Sequence, residues 1–152
     1  MPKIINDKKA ESIIHQAEIC YLAMSFENYP YIVPMNFGYN CGTLYFHSKT
    51  GGKKNKIMAI NRQVCCSFVV NPQLKPSSFP CHYSMGYQSL FVFGIAAFIN
   101  DISAKKKALF EIFLHYQPKV NKDVIYQLEP VALKAVTLFK VDIQKWTIKE
   151  RD

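Results

Sequence analysis

Residues 31–56 read YIVPMNFGYNCGTLYFHSKTGGKKNK. Aromatic and β-branched residues fill two short runs, YIVPMNFGY and TLYFHS, each of strand character. Asn40, Cys41 and Gly42 stand between them as turn residues, so the two runs are predicted to pair as an antiparallel hairpin. Pro34 cannot donate to a strand ladder, which points to a sheet edge, a bulge or a backbone opened toward a ligand. Past Ser48 the texture changes. Lys49–Gly52 form a glycine turn and Lys53–Asn61 a short helix with a basic start.

Outward from this stretch the chain repeats the strand pattern. CYLAMSF lies upstream, and VCCSFVV, SLFVFGIAAFI and VALKAVTLFKVDI lie downstream, so six strands are predicted. Asp7 can cap a first helix over about residues 7–18, whose apolar stripe is Ala10, Ile13, Ile14 and Ala17. Ser103 begins a second helix with Ala108, Leu109, Ile112 and Phe113 on its apolar face. The segment NPQLKPSSFPCHYS carries Pro72, Pro76 and Pro80 and is predicted as a long loop between the fourth and fifth strands. Few strand pairs are separated by a helical crossover. A small closed or partly closed barrel flanked by helices is therefore the expected architecture, and mainly β the fold class.

Composition sets outer bounds. A hydrophobic share of 49% against 20% charged residues belongs to a folded globule, and 152 residues suit a single domain over 1–152. No apolar run approaches the ~18 residues of a membrane span, and the amino-terminal stretch MPKIINDKKAES lacks a secretory leader, so the expected location is the cytoplasm. Five cysteines, Cys20, Cys41, Cys65, Cys66 and Cys81, contain no CxxC pair and are expected to be reduced thiols, mostly small core residues. Cys81 and His82 lack the spacing of familiar structural zinc sites.

A net charge of +8 favours anionic partners: nucleic acid, an acidic membrane surface or a phosphorylated small molecule. Lys8–Lys9 and Lys105–Lys107 fall on the polar faces of the predicted helices and read as solvated surface. Lys53, Lys54 and Lys56 are different, because they follow Gly51 and Gly52 at a helix start where backbone N–H groups are unpaired. Glycines allow close approach, Ser48 and Thr50 add hydroxyls and the lysines add charge, which together suit a phosphate. The plain alternative is a solvated turn with a basic helix start. A Walker A loop is excluded, since His47 stands where its first glycine belongs and Lys54 where its Ser or Thr belongs. Tyr31, Asn36, Phe37, Tyr45, Phe46 and His47 stand close by in sequence, so an aromatic cofactor could lie beside the phosphate, although each also has a core reading.

The order and spacing of YIVPMNFGYNCGTLYFHSKTGGKKNKIMAINRQVCCSF and GYQSLFVFGIAAFINDISAKKKALFEIFLHY resemble the FMN-binding split-barrel family related to pyridoxamine 5′-phosphate oxidase, and most its nitroimidazole-reductase branch. The resemblance spans about residues 10–143 and rests on no single diagnostic motif. It implies a six-stranded split barrel, a homodimer and two FMN sites in the clefts between subunits. Under it, Val33, Pro34, Met35 and Asn36 lie along the flavin ring, and Phe46, His47 and Ser48 face the ribityl chain and phosphate. Gly52, Lys53 and Lys54 then hold the phosphate, while Tyr87 and Ser89 approach the cofactor from the partner subunit. The chain departs from the oxidase itself at WTIKERD, where the Arg- and His-bearing substrate end is missing.

Two functions of different classes follow. One is an FMN-dependent oxidoreductase that takes electrons from NAD(P)H and passes them to a small acceptor such as a nitroaromatic or quinone, with no obligatory protein acid or base. His47 is then a cofactor contact or a proton donor. The other is a non-catalytic FMN- or haem-binding sensor or carrier, for which His47, His82 and His115 are the candidate haem ligands. A nucleic-acid module is disfavoured because aromatics interleave with lysines only near Tyr45–Lys56.

Overall fold

A computed structural model describes residues 6–152. Residues 1–5, part of the stretch read above as lacking a leader, lie outside the described residues. The order of elements is α1 (Lys8–Gln16), β1 (Cys20–Phe26), β2 (Tyr29–Met35), β3 (Gly38–Asn40), β4 (Thr43–Lys49), α2 (Lys53–Ile60), β5 (Gln63–Lys75), β6 (Ser84–Ile99), α3 (Ile102–Tyr116), α4 (Lys122–Tyr126), α5 (Pro130–Lys134) and β7 (Val136–Arg151). One antiparallel sheet runs β2-β1-β5-β6-β7-β4-β3, which with its flanking helices is a mainly β split barrel. Seven strands replace the six expected. YIVPMNFGY is broken at Asn36–Phe37 into β2, which pairs with β1, and β3, which pairs with β4.

Two tight turns set the register at both ends of the sheet. Glu27 (φ 46°) and Asn28 (φ 63°) close the β1–β2 hairpin with Phe26 opposite Tyr29. Cys41 (φ 47°) and Gly42 (φ 80°) close the β3–β4 hairpin with Asn40 opposite Thr43, as the turn residues predicted. Pro34 sits on the edge strand β2, where a missing N–H costs no ladder bond.

Alternation along the strands separates two faces. Leu22, Met35, Phe46, Cys66, Phe68, Leu90, Val92 and Phe139 turn inward and form the main core with Ala10, Ile13, Ile14 and Ala17 of α1. Phe46 and Phe139 are opposed across β4 and β7 and stack at 5.0 Å. The apolar stripe of α1 faces this core as expected, and the Asp7 carboxylate caps the helix by accepting from the backbone N–H of Lys9 and Ala10. A second core lies on the other side of β4 and β7, where Tyr45 and Leu138 meet Ala108, Leu109 and Ile112 of α3, with Ile125 and Leu133. α3 comes so close to β3 that a Cβ on Gly38 would stand 2.4 Å from the Glu111 carbonyl carbon. Only glycine fits there.

Several expectations are corrected. VALKAVTLFKVDI is not one strand: Pro130 opens the helix α5, Leu133 is buried against α3, and β7 begins at Val136 and runs to Arg151. The proline-rich loop is shorter than predicted, because β5 continues past an irregularity at Asn71 (φ 53°) to Lys75. What remains is a turn of 3₁₀ helix at Pro80–His82. Lys105 and Lys106 are half-buried rather than a solvated face: Lys105 Nζ donates to the carbonyls of Leu133 and Val136, and Lys106 Nζ to that of Tyr126. They satisfy the carbonyl ends of α5 and α4. All five cysteines are free, but only Cys20 and Cys66 are buried; Cys41 and Cys81 occupy exposed turns. No helix among the described residues is long and apolar enough to cross a membrane.

Candidate functional site

The sheet does not close by hydrogen bonds between its two edge strands. α2 fills the split, starting directly after the turn that ends β4 and running to the β1–β2 hairpin, where Asn61 Nδ2 donates to the Ser25 carbonyl at 2.9 Å. Its first turn and the Lys49–Gly52 loop form the candidate site.

Gly51 (φ 79°) and Gly52 (φ 88°) hold backbone angles that other residues adopt only with strain, and a Cβ on either would meet nothing within 4 Å. The loop backbone is therefore open to close approach. Gly52 caps α2 without any side-chain hydrogen bond, and the first intrahelical bond runs from Lys56 N–H to the Gly52 carbonyl. The N–H groups of the first helical turn are left for an outside acceptor. Asn55 is buried and holds the loop in shape: its Nδ2 donates to the carbonyls of Lys49 (3.2 Å) and Gly51 (2.7 Å), and its Oδ1 accepts from Ser48 Oγ (3.3 Å). Thr50 Oγ1 ties the loop to the Ala135 carbonyl.

The lysines of GKK diverge. Lys53 reaches β2, with Nζ donating to the Tyr29 hydroxyl at 2.6 Å and lying 4.2 Å and 5.2 Å from the ring centroids of Tyr29 and Tyr31. Lys54 turns toward β4. Its charge, together with partial burial as the larger cause, holds the His47 imidazole below its ordinary pKa, so His47 is neutral at pH 7. A neutral imidazole can donate or accept a hydrogen bond at this edge without adding charge. The donor set of open backbone N–H groups, two ammonium ions and an imidazole fits a phosphate monoester. No cluster of His, Cys, Asp or Glu able to hold a metal occurs among the described residues.

The other anticipated residues divide by face. Val33 and Met35 point inward against the core, and Pro34 and Asn36 are exposed beside them. Phe46 is fully buried in the Phe139 stack, and Ser48 is turned inward to Asn55, so both shape the site from beneath. Tyr87 and Ser89 do not approach Gly52–Lys54 within the chain. Ile99 and His47 both pair with Leu138, and Tyr87 lies 12 residues earlier on β6, about 40 Å away along a strand. Ser89 is buried, with its hydroxyl donating to the Lys149 carbonyl. His115 packs on Phe37 and contacts the Ala17 carbonyl through Nε2 at 2.7 Å, and His82 lies against Phe79 on the surface.

Tyr29 and Asn55 were not among the anticipated residues. Tyr29 follows Glu27-Asn28, whose turn character was the available signal for placing it opposite Phe26 at the start of β2. Asn55 carries no such signal, because a buried asparagine in the first turn of a helix looks like a solvated one in sequence.

Beside the loop, Thr50, Gly51, Asn55, Phe98, Asn100, Lys105 and Lys134 wall a hollow of about 250 Å³. A larger groove of about 640 Å³ lies on the outward face of β1, β5, β6 and β7, lined by Ala23, Ser25, Gln63, Cys65, Phe93, Ile95 and Lys145 among others. Strand pairing sets Pro34, Tyr21, Ser67, Phe91 and Thr147 in one row across that face, and Ile32, Ala23, Cys65, Phe93 and Lys145 in the next. Four of these residues are large apolar side chains left exposed, Tyr21, Ile32, Phe91 and Phe93, and Val69 beside them on β5 is exposed as well. Tyr87 and Ser89 are on this same face by alternation.

Comparison with known proteins agrees with this architecture. A candidate 5-nitroimidazole antibiotic resistance protein from Bacteroides thetaiotaomicron superposes with a TM-score of 0.79 at 34% sequence identity, covering 97% of this chain and 86% of that one. The FAD and haem binding protein from Mycobacterium smegmatis shares the fold at a TM-score of 0.83 and 18% identity over 97% of this chain and 72% of that one. A FAD-binding protein from Mesorhizobium loti does so at 0.71 and 18% over 100% and 99%. No curated protein matches the sequence. The family model for pyridoxamine 5′-phosphate oxidase matches residues 6–150. With nearly its whole length accounted for in this way, the chain belongs to the pyridoxamine 5′-phosphate oxidase family.

Proposed function

We propose that the chain is an FMN-dependent oxidoreductase of this family, working as a homodimer, that takes electrons from NAD(P)H and reduces a small nitroaromatic or quinone-like molecule. The carrying observation is the Gly51–Gly52 turn, whose open backbone and flanking Lys53 and Lys54 make a seat for a terminal phosphate. Backbone N–H groups of the first turn of α2 hold the phosphate, with Lys53 and Lys54 on either side. His47 meets the ribityl chain, and Val33, Pro34, Met35 and Asn36 support the ring. Bound FMN supplies the electron transfer itself. A second subunit covers the apolar outward face of β1, β5 and β6 and brings its Tyr87 and Ser89 to the site, which is exposed at Pro34, Asn36, His47 and Lys53 in a single protomer. The 34% identity to a candidate nitroimidazole resistance protein supports the acceptor class.

The test compares FMN with riboflavin, which lacks the phosphate, by quenching of flavin fluorescence. The protein should prefer FMN, and Lys53→Ala with Lys54→Ala should remove most of that preference while leaving riboflavin affinity in place. Equal losses for both flavins would move the phosphate elsewhere. Turnover is tested by NADH-dependent reduction of a nitroaromatic by FMN-loaded protein. FMN binding without any such activity would favour the carrier over the enzyme.

A further inference from the structure

Lys53 is a long exposed cation at the end of a glycine turn, yet it is held in place. Its Nζ donates to the Tyr29 hydroxyl at 2.6 Å and sits near both the Tyr29 and Tyr31 rings. These tyrosines are two residues apart on β2 and therefore share a face. The Glu27–Asn28 turn fixes them there by setting Phe26 opposite Tyr29 and Met24 opposite Tyr31. Core packing does not account for Tyr29, which is 50% exposed. Among the described residues the ion pairs join Lys9 with Glu150 and Lys140 with Asp142, so no carboxylate competes for Lys53.

We propose that Tyr29 and Tyr31 are positioning residues for phosphate recognition, holding the Lys53 ammonium at the mouth of the Gly51–Gly52 turn without cancelling its charge. The inference rests on the FMN reading above. An ammonium has three donors; the Tyr29 oxygen takes one and leaves two for an anion. The phenol proton of Tyr29 is not used by Lys53 and can itself be donated to a phosphate oxygen. The rings attract the cation through their negative faces, as a carboxylate would, but remain neutral. A free lysine loses side-chain freedom when it grips a ligand, and a lysine already seated loses less, so the seat raises affinity by preorganisation.

The experiment titrates FMN and riboflavin against the wild type, Tyr29→Phe, Tyr31→Phe and the pair Tyr29→Leu with Tyr31→Leu, each also in a Lys53→Ala background, with melting temperatures recorded. The leucine pair should weaken FMN about tenfold and leave riboflavin within about twofold. Tyr31→Phe keeps its ring and should bind like the wild type, whereas Tyr29→Phe loses the hydroxyl and should weaken FMN about threefold. With Lys53 already removed, the leucine pair should add no further loss. Tyr29→Phe changes one exposed hydroxyl and carries the test if the leucine pair fails to fold. Equal losses for FMN and riboflavin, or an undiminished loss in the Lys53→Ala background, overturn the proposal by making the tyrosines structural. A wild type with no preference for FMN over riboflavin removes the phosphate reading and the inference with it. A preference that depends on Lys53 and Lys54 but not on the tyrosines keeps that reading and overturns the inference alone.

Discussion

Replacing Asn55 by alanine should damage both the stability of the protein and the flavin site proposed above. Three hydrogen bonds are lost, two donated to the Lys49 and Gly51 carbonyls and one accepted from Ser48 Oγ. Each is worth about 1 kcal/mol net. Lys49 and Gly51 are exposed, so water partly replaces the donors to their carbonyls, but the Ser48 hydroxyl is buried and loses its acceptor outright. The expected cost is about 2–3 kcal/mol. At roughly 2–4 °C per kcal/mol for a domain of this size, melting should fall by roughly 4–12 °C. Urea unfolding at one fixed protein concentration measures the loss directly. Because Ser48 acts through Asn55, Ser48→Ala should add little once Asn55 is already alanine, and the shortfall from additivity reports their coupling. FMN affinity should drop more than riboflavin affinity, since the loop that opens is the one that bears the glycines. A stability loss under about 0.5 kcal/mol, or strict additivity with Ser48→Ala, would refute the view that Asn55 shapes the turn.

Two further outcomes concern pH and assembly. Burial, as the largest cause, pushes the His115 imidazole below its ordinary pKa of 6.5, with the nearby His15 acting in the same direction. The unfolded chain therefore takes up this proton first; the stability is complete above about pH 6.5 and is lost as the pH falls through the depressed folded value. His115→Gln should flatten the decline of the urea midpoint below pH 6.5, and parallel profiles for variant and wild type would refute the assignment. FMN-loaded protein at micromolar concentration should scatter light as twice the 17.5 kDa protomer, and Phe91→Asp on the outward face should lower the mass toward one protomer. A wild type at 17.5 kDa would remove the dimer.

The features set by local chemistry were legible in the sequence. Alternation and turn residues gave the β3–β4 hairpin, and the Asp7 cap gave the start of α1. The glycine turn before a short helix also appears where it was expected. What escaped depended on contacts distant in sequence. Val131–Lys134 look like the start of a strand until Leu133 is seen buried against α3, and Lys105 looks solvated until the carbonyl ends of α5 come within its reach. The inward turn of Phe46 and Ser48 was undecidable in the same way, because a strand residue beside a glycine turn shows no preference for either face until its partner strand is known. The role of Tyr29 depends likewise on Lys53, a partner on another element.

The prolines of β2 bear on a different matter, the fate of the chain at high concentration. Pro30 and Pro34 are in phase with Ile32 on an edge strand, and proline is accommodated there with its nitrogen on the solvent side. Two of the three nitrogens along that margin thus offer no hydrogen to an incoming strand. The opposite margin, β3, is only three residues long and is covered by α3. Neither margin can template fibre-like growth, so a molecule with so much exposed apolar surface can associate through its face while being barred from open-ended stacking through its edges.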